Sequence, residues 1–197
     1  MAKRLMDLVL VLGTAPAWVP ICLVVAVVVR VVDGAPVLFA QERAGRDGRP
    51  FVMRKFRTMT TESEDPTTDV ARITTLGARL RLTSLDELPT LIAILRGDMS
   101  LVGPRPLPSR YVERYSPEQR RRLEVVPGLT GLAQVEGRNL LSWEDRFALD
   151  VRYVDDRSVV GDLGILWRTV SSVIRADGAE AEDGGTTPEF FGGGDVD

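Results

Sequence analysis

Two adjacent carboxylates, Asp86 and Glu87, stand in the run Ser84-Leu85-Asp86-Glu87-Leu88-Pro89. Arg81 lies just upstream, and Arg105 lies downstream, locked between Pro104 and Pro106. The chain has no histidine, which rules out Ser-His-Asp and Cys-His catalysis and leaves no histidine for a zinc site. Its one cysteine, Cys22, sits in an apolar run without an internal disulfide partner, as in a reduced, cytosol-facing protein. Acid–base or covalent chemistry must then come from Asp, Glu, Lys, Tyr or Ser, and a carboxylate is the credible covalent nucleophile. The plain alternative is a pair of helix-start charges. Ser84-x-x-Glu87 has the form of a capping box, and acids are stabilising at a helix N-terminus. Pro89 in the first turns fixes the helix start and the direction of both carboxylates.

The elements that position these residues are mainly helical. Leucines at 76, 80 and 82, then at 88, 91 and 95 with Ile92, recur near three and four and predict helices on either side of the carboxylates, the second ended by Gly97. Further helices are expected at 117–123, 143–153 and 163–174. Arg120, Arg121 and Arg122 are expected on a wet or membrane-facing side. In the last helix Leu163, Leu166, Trp167, Val170, Val173 and Ile174 form an apolar stripe that lies on a bilayer or packs in the core. Asp162 reads as a helix N-cap, with a site residue as the alternative. Residues 37–41 and 51–56 read as two short strands joined by a Gly- and Asp-Gly-containing turn. Lys55 and Arg57, at the end of the second strand, face phosphate or form a solvated edge. Residues 60–69 read as a polar surface loop.

From 8 to 29 no residue is charged, a run of 22. At about 1.5 Å per residue it just covers a hydrocarbon core of about 30 Å. Gly13, Pro16 and Pro20 interrupt it, and each proline removes a donor and crowds the preceding turn. Lys3 and Arg4 precede the run while Arg30, Arg43, Arg46 and Arg49 follow it, a distribution that keeps both ends in the cytosol. A helix that enters one leaflet, bends at proline and returns satisfies both facts. Thr14 or water would satisfy its broken backbone. A straight span is the rival; a signal peptide fits poorly, because the apolar run continues far past Ala15-Pro16-Ala17.

The formal charge of −3 conceals an asymmetry. Beyond residue 175 the chain carries 7 acids and no base; removing these from the 28 acids leaves 21 against 25 bases, net +4. A basic body suits an anionic membrane or an anionic substrate. Nucleic acid is not expected, because the few aromatics are not interleaved with the bases. The Gly-rich acidic tail reads as disordered by composition.

These runs, together with Gly97-Asp98-Met99-Ser100-Leu101-Val102-Gly103-Pro104-Arg105-Pro106, Val126-Pro127-Gly128-Leu129-Thr130-Gly131, Gly137-Arg138-Asn139 and Lys55-Phe56-Arg57-Thr58-Met59, closely resemble the small monotopic phosphoglycosyl transferases among the bacterial sugar transferases. The match runs from Lys3-Arg4 to about Phe190. The resemblance implies a mainly α fold with a small β-hairpin. Its parts are a re-entrant, proline-kinked membrane hairpin (1–34), a cytosolic α-rich catalytic domain with amphipathic surface helices (35–175) and an acidic Gly-rich tail (176–197). It implies transfer of a sugar 1-phosphate from a UDP-sugar to polyprenyl phosphate with UMP release, at the cytoplasmic face of the bacterial inner membrane. Asp86 maps onto the nucleophile that forms an aspartyl-phosphosugar. Glu87 maps onto its partner, and either carboxylate can hold Mg²⁺. Arg81 and Arg105 map onto phosphate- or substrate-binding positions, where Lys55, Arg57 and Arg138 are also expected. Pro20 maps onto the hairpin kink. The implied partners are the UDP-sugar, polyprenyl phosphate and a phospholipid membrane, with room for a homo-oligomer. Three positions depart from the family pattern: Val19 where serine is frequent, Leu132 where Trp is common, and Glu136 where Asn is common. The last two bear on which sugar or nucleotide is accepted. Thr186-Thr187-x-x-Phe190 resembles a short C-terminal motif of the smaller members. A catalytically silent membrane scaffold and direct glycosyl transfer are the competing readings; release of UMP rather than UDP separates the latter.

Overall fold

Apolar residues wind the start of the chain into two consecutive helices, α1 (Ala2–Gly13) and α2 (Ala15–Val32), in a computed structural model that describes residues 1–60, 72–137, 141–175 and 189–192. The break falls at Gly13–Thr14, with Pro16 in the first turn of α2, where a missing N–H has no helical partner to lose. Helix α2 runs on through Pro20. The Thr14 hydroxyl donates to the Leu10 carbonyl at 2.7 Å, so it serves the end of α1 rather than the turn at Pro20. The Trp18 indole adds a bond to the Val11 carbonyl at 2.9 Å. Helix α2 is long and apolar enough to cross a membrane, by length and composition. Leu23, Val24, Val27 and Val31 are exposed on it, whereas Val25 and Val29 pack on Phe56 and Leu80.

The expected hairpin forms from β1 (Leu38–Ala44) and β2 (Pro50–Phe56), antiparallel with Gln41 opposite Met53. Asp47 and Gly48 take φ of 57° and 76° in the turn, the left-handed region that Asp and Gly tolerate best. Helix α3 (Thr75–Leu82) follows, capped by the Thr74 hydroxyl. Here the structure corrects the sequence reading. Ser84 is left-handed at φ 56°, its side chain caps nothing, and Leu85–Thr90 is a 3₁₀ turn leading into α4 (Leu91–Arg96). The Glu87 N–H donates to the Ser84 carbonyl three residues back at 3.2 Å, the tighter pattern of a 3₁₀ start. Gly97 ends α4 at φ 96°, as expected.

A second sheet, invisible to residue patterning, pairs β3 (Ser100–Val102) in parallel with β4 (Gly128–Thr130). Three-residue strands are too short to alternate. The two backbones approach so closely that a Cβ at Gly128 would lie 2.0 Å from the Gly103 nitrogen. Between them come a 3₁₀ turn (Ser109–Arg114), α5 (Pro117–Arg120) and another 3₁₀ turn (Arg121–Glu124). A capping box does form here, between Ser116 and Gln119. Helices α6 (Leu132–Glu136), α7 (Trp143–Asp156) and α8 (Val159–Arg175) complete the body.

Two further expectations are corrected. Arg122 is buried against Asp150 rather than facing water or lipid, because its guanidinium meets a carboxylate and two aromatic rings inside the body. Asp162 is not the N-cap of α8. Ser158 accepts from the Gly161 N–H there, while Asp162 is buried and accepts from Lys3 at 2.7 Å and from the Tyr153 hydroxyl at 2.8 Å. The loop expected at 60–69 lies, beyond Thr60, outside the described residues, as do Arg138, Asn139, Thr186, Thr187 and all of 176–197 except 189–192.

Candidate active site

Three elements converge on the acid pair. The 3₁₀ turn presents Asp86 and Glu87, and the Thr90 hydroxyl pins that turn to β2 through the Arg54 carbonyl at 3.0 Å. Strand β2 brings Lys55 next to Glu87, and its ammonium donates to Glu87 Oε1. The Pro-Arg-Pro turn after β3 brings Arg105, whose Nη2 lies 3.3 Å from the same oxygen. That turn is itself held: Gly128 N–H donates to the Pro104 carbonyl at 3.0 Å and Gly103 N–H to the Thr130 carbonyl at 2.9 Å. The Pro-Gly-Leu-Thr-Gly run is thus the strand that supports Arg105. Arg81 approaches from α3, with its Nε donating to the Thr58 hydroxyl at 2.9 Å.

The two acids live in different states. Burial works against ionised Glu87, but Lys55 and Arg105 outweigh it and hold the carboxyl below its usual range. Asp86 is 8% exposed, and among the described residues no hydrogen bond reaches its carboxylate. Burial and the neighbouring Glu87 push it up to about 6, against the pull of Lys55, Arg81 and Arg105. Burial and the nearby Arg105 lower the Lys55 ammonium, with Glu87 opposing. Two adjacent carboxyls with pKa values driven apart are what a site needs when one group reacts and the other binds. Arg105 keeps a half-exposed side chain, so its fork can reach an incoming ligand.

The sequence-predicted residues separate here. Asp86, Glu87, Lys55, Arg81 and Arg105 come together. Arg57 does not join them: it is buried and gives its terminal nitrogens to the Asp33 and Ala35 carbonyls, tying the end of α2 to the hairpin. Glu136 pairs with Arg168 on α8 at 2.8 Å, and Leu132 packs against the cluster of Val102, Tyr153 and Ile165. Two arginines beside the site were not singled out for it. Arg43 donates to the Pro106 carbonyl at 3.4 Å, and burial with nearby Arg105 lowers its pKa to about 10. Arg122 donates to the Arg105 carbonyl at 2.7 Å. Arg43 stood out in the sequence only as a basic residue following the apolar run, and nothing local marked Arg122 for this position.

The chain as a whole matches known sequences. Residues 1–176 match the bacterial sugar transferase family. The chain belongs to that family. An uncharacterised sugar transferase of Bacillus subtilis, EpsL, is 46% identical over 98% of this chain and 98% of its own length. A UDP-glucose:undecaprenyl-phosphate glucose-1-phosphate transferase of Caulobacter vibrioides is 40% identical, covering 90% of this chain and 71% of that protein. An undecaprenyl-phosphate galactose phosphotransferase of Salmonella typhimurium is 39% identical over 75% of this chain, but only 35% of its own length is matched. The chain therefore spans 98% of the length of one relative and about a third of another.

Proposed function

We propose that this sugar transferase moves a sugar 1-phosphate from a UDP-sugar to a polyprenyl phosphate, with Asp86 as covalent nucleophile. The observation that carries the reading is the asymmetry of the acid pair: Glu87 is engaged by two cations while Asp86 is left without a hydrogen bond among the described residues. A carboxylate oxygen of Asp86 attacks the sugar-bearing phosphorus, and the bond from that phosphorus to the bridging oxygen breaks. UMP leaves with that oxygen and its electron pair. A phosphate oxygen of the polyprenyl acceptor then attacks the same phosphorus and expels the Asp86 carboxylate. Arg105 and Arg81 neutralise the phosphates during both displacements, and Lys55 holds Glu87 in place. With a pKa of about 6, Asp86 is roughly nine-tenths ionised at pH 7.

Magnesium fits the donor set. Asp86 and Glu87 offer oxygen ligands, and the ion is usually held by one or two carboxylates together with substrate phosphates and water. Among the described residues no group of three or more His, Cys, Asp or Glu could hold a metal, so substrate oxygens would complete the shell. When bound, the ion supplies charge neutralisation at the transferring phosphoryl group.

In the same reading residues 1–34 form a re-entrant membrane hairpin, 35–175 a cytosolic body at the inner face of the bacterial inner membrane, and 176–197 an appended tail. Both ends of α1–α2 are fastened to one polar body, which supports this topology. Lys3 pairs with Asp162, Arg4 donates to the Ile94 and Leu95 carbonyls, and Asp7 accepts from Ser100 and the Leu101 N–H. At the other end Asp33 accepts from the Thr74 hydroxyl at 3.0 Å. A through-span would have to tear one set apart. Val160, Leu163, Trp167 and Val170 form an exposed stripe on α8, which contacts α1, and supply an interfacial helix beside the hairpin.

A panel of UDP-sugars with undecaprenyl phosphate tests the activity. UMP release dependent on one donor is expected; UDP release would point to direct glycosyl transfer.

A further inference from the structure

We propose that Arg122 is a positioning residue that aims Arg105, and that residues 189–192 complete its seat; the inference rests on Arg105 facing the donor phosphates. Arg122 is 3% exposed and makes four contacts with one planar group. Its Nε and Nη2 donate to Asp150 Oδ2 at 3.0 and 2.7 Å, Nη1 donates to the Tyr115 hydroxyl at 3.0 Å, and Nη2 also donates to the Arg105 carbonyl at 2.7 Å. The Arg105 carbonyl lies between two prolines whose φ angles are fixed, so holding that oxygen sets the orientation of the residue. The Arg105 guanidinium then reaches Glu87 from a fixed root.

The seat of Arg122 is aromatic. The guanidinium centre lies 5.6 Å from the Tyr115 ring and 5.3 Å from the Phe147 ring. Phe190, from the far C-terminal region, fills the other side of those rings. Its centroid is 4.9 Å from Phe147 and 5.9 Å from Tyr115. Phe190 is 5% exposed. Glu189 secures the segment by accepting from Arg114 at 2.9 Å and Arg110 at 3.2 Å, and Arg114 also donates to the Phe190 carbonyl. A chain of direct contacts therefore runs from Phe190 through Tyr115 and Phe147 to Arg122, and from there to Arg105.

Lysine at 122 keeps the charge but replaces three donor nitrogens with one. The test measures UMP release by full-length protein in nanodiscs, using whichever UDP-sugar of the panel turns over fastest. Arg122→Lys is expected to lower kcat about tenfold, with donor KM changed less than twofold, because a misaimed group weakens the transition state most. In an Arg105→Lys background the same change should add less than a further twofold, since the group it aims is already gone. A purely structural role predicts instead that the two factors multiply, and that outcome overturns the proposal. Phe190→Leu keeps apolar volume and removes the ring; it repeats the test if Arg122→Lys does not fold, with the same non-additivity expected. If Arg105→Lys is as active as wild type, the phosphate role of Arg105 falls and takes the inference with it. If Arg105→Lys is impaired but the factors multiply, the inference alone falls.

Discussion

Arg105 and Lys55 share a single oxygen of Glu87, Nη2 at 3.3 Å and the ammonium in direct contact. Asp86, one residue earlier in the same turn, takes part in neither bond. Neighbours in sequence are thereby given different chemistry: one carboxylate is bound to cations and stays ionised, while the other is sheltered and available.

Asp86→Asn keeps the size of the side chain and removes the carboxylate proposed as nucleophile. Both overall transfer and acceptor-independent UMP release should disappear, a loss of at least about 1,000-fold. A UDP-sugar labelled in its sugar should mark the wild-type protein and leave Asp86→Asn unmarked. Label on the variant would show that another residue carries the phosphosugar. Glu87→Gln should slow turnover while still allowing slow labelling.

The same carboxyl sets a pH limit. Asp86 must be ionised to attack, so kcat/KM for UMP formation should fall tenfold per pH unit below about 6 and level off above it. A profile flat down to pH 5 would contradict the assignment.

Stability should move the other way. The folded protein holds the Asp86 proton more tightly than an unfolded chain does, about 6 against 3.8. The carboxylate therefore destabilises the fold fully above pH 6, and this penalty fades as pH falls towards 3.8. Asp86→Asn should raise stability at pH 8 by on the order of 1–3 kcal/mol, with little gain at pH 4. Thermal melts at the two pH values measure this, and an equal shift at both would speak against the buried charge as its cause.

Arg105→Lys retains charge but not the planar fork that matches phosphate. Turnover should drop roughly 10- to 100-fold with an unchanged melting temperature, since the side chain is 44% exposed and contributes little packing. Near-native turnover would remove Arg105 from phosphate binding.

Cysteines at Ala2 and Ala35, in a Cys22→Ala background, report topology. Ala35 is preferred to Gly34, whose φ of 81° a side chain would strain. An impermeant maleimide should label both sites in inside-out vesicles and neither in right-side-out vesicles. Labelling of the two sites from opposite faces would establish a through-span.

Much of this was legible along the chain. Missing histidine narrowed the chemistry to Asp, Glu, Lys, Tyr or Ser and made the carboxylate pair the credible site, leucine spacing placed α3 and α4 around it, and 22 uncharged residues marked the apolar helices. Each is a local property of composition or periodicity, and the family motifs added Arg105 and Lys55. Tertiary structure decided what depends on approach between distant segments. Ser84 looked like a cap, but closing α3 put it in the left-handed region and gave the acids a 3₁₀ turn. Asp162 and Arg122 read as surface or capping groups because polarity is visible in sequence while burial is not. Partners 159 and 28 residues away bury them with their charges paired. The difference between Asp86 and Glu87 is of the same kind. Side by side in the chain they are chemically alike, and only the side on which β2 and the Pro-Arg-Pro turn deliver their cations makes one an ion bound by Lys55 and Arg105 and leaves the other a buried carboxyl pushed up to about 6.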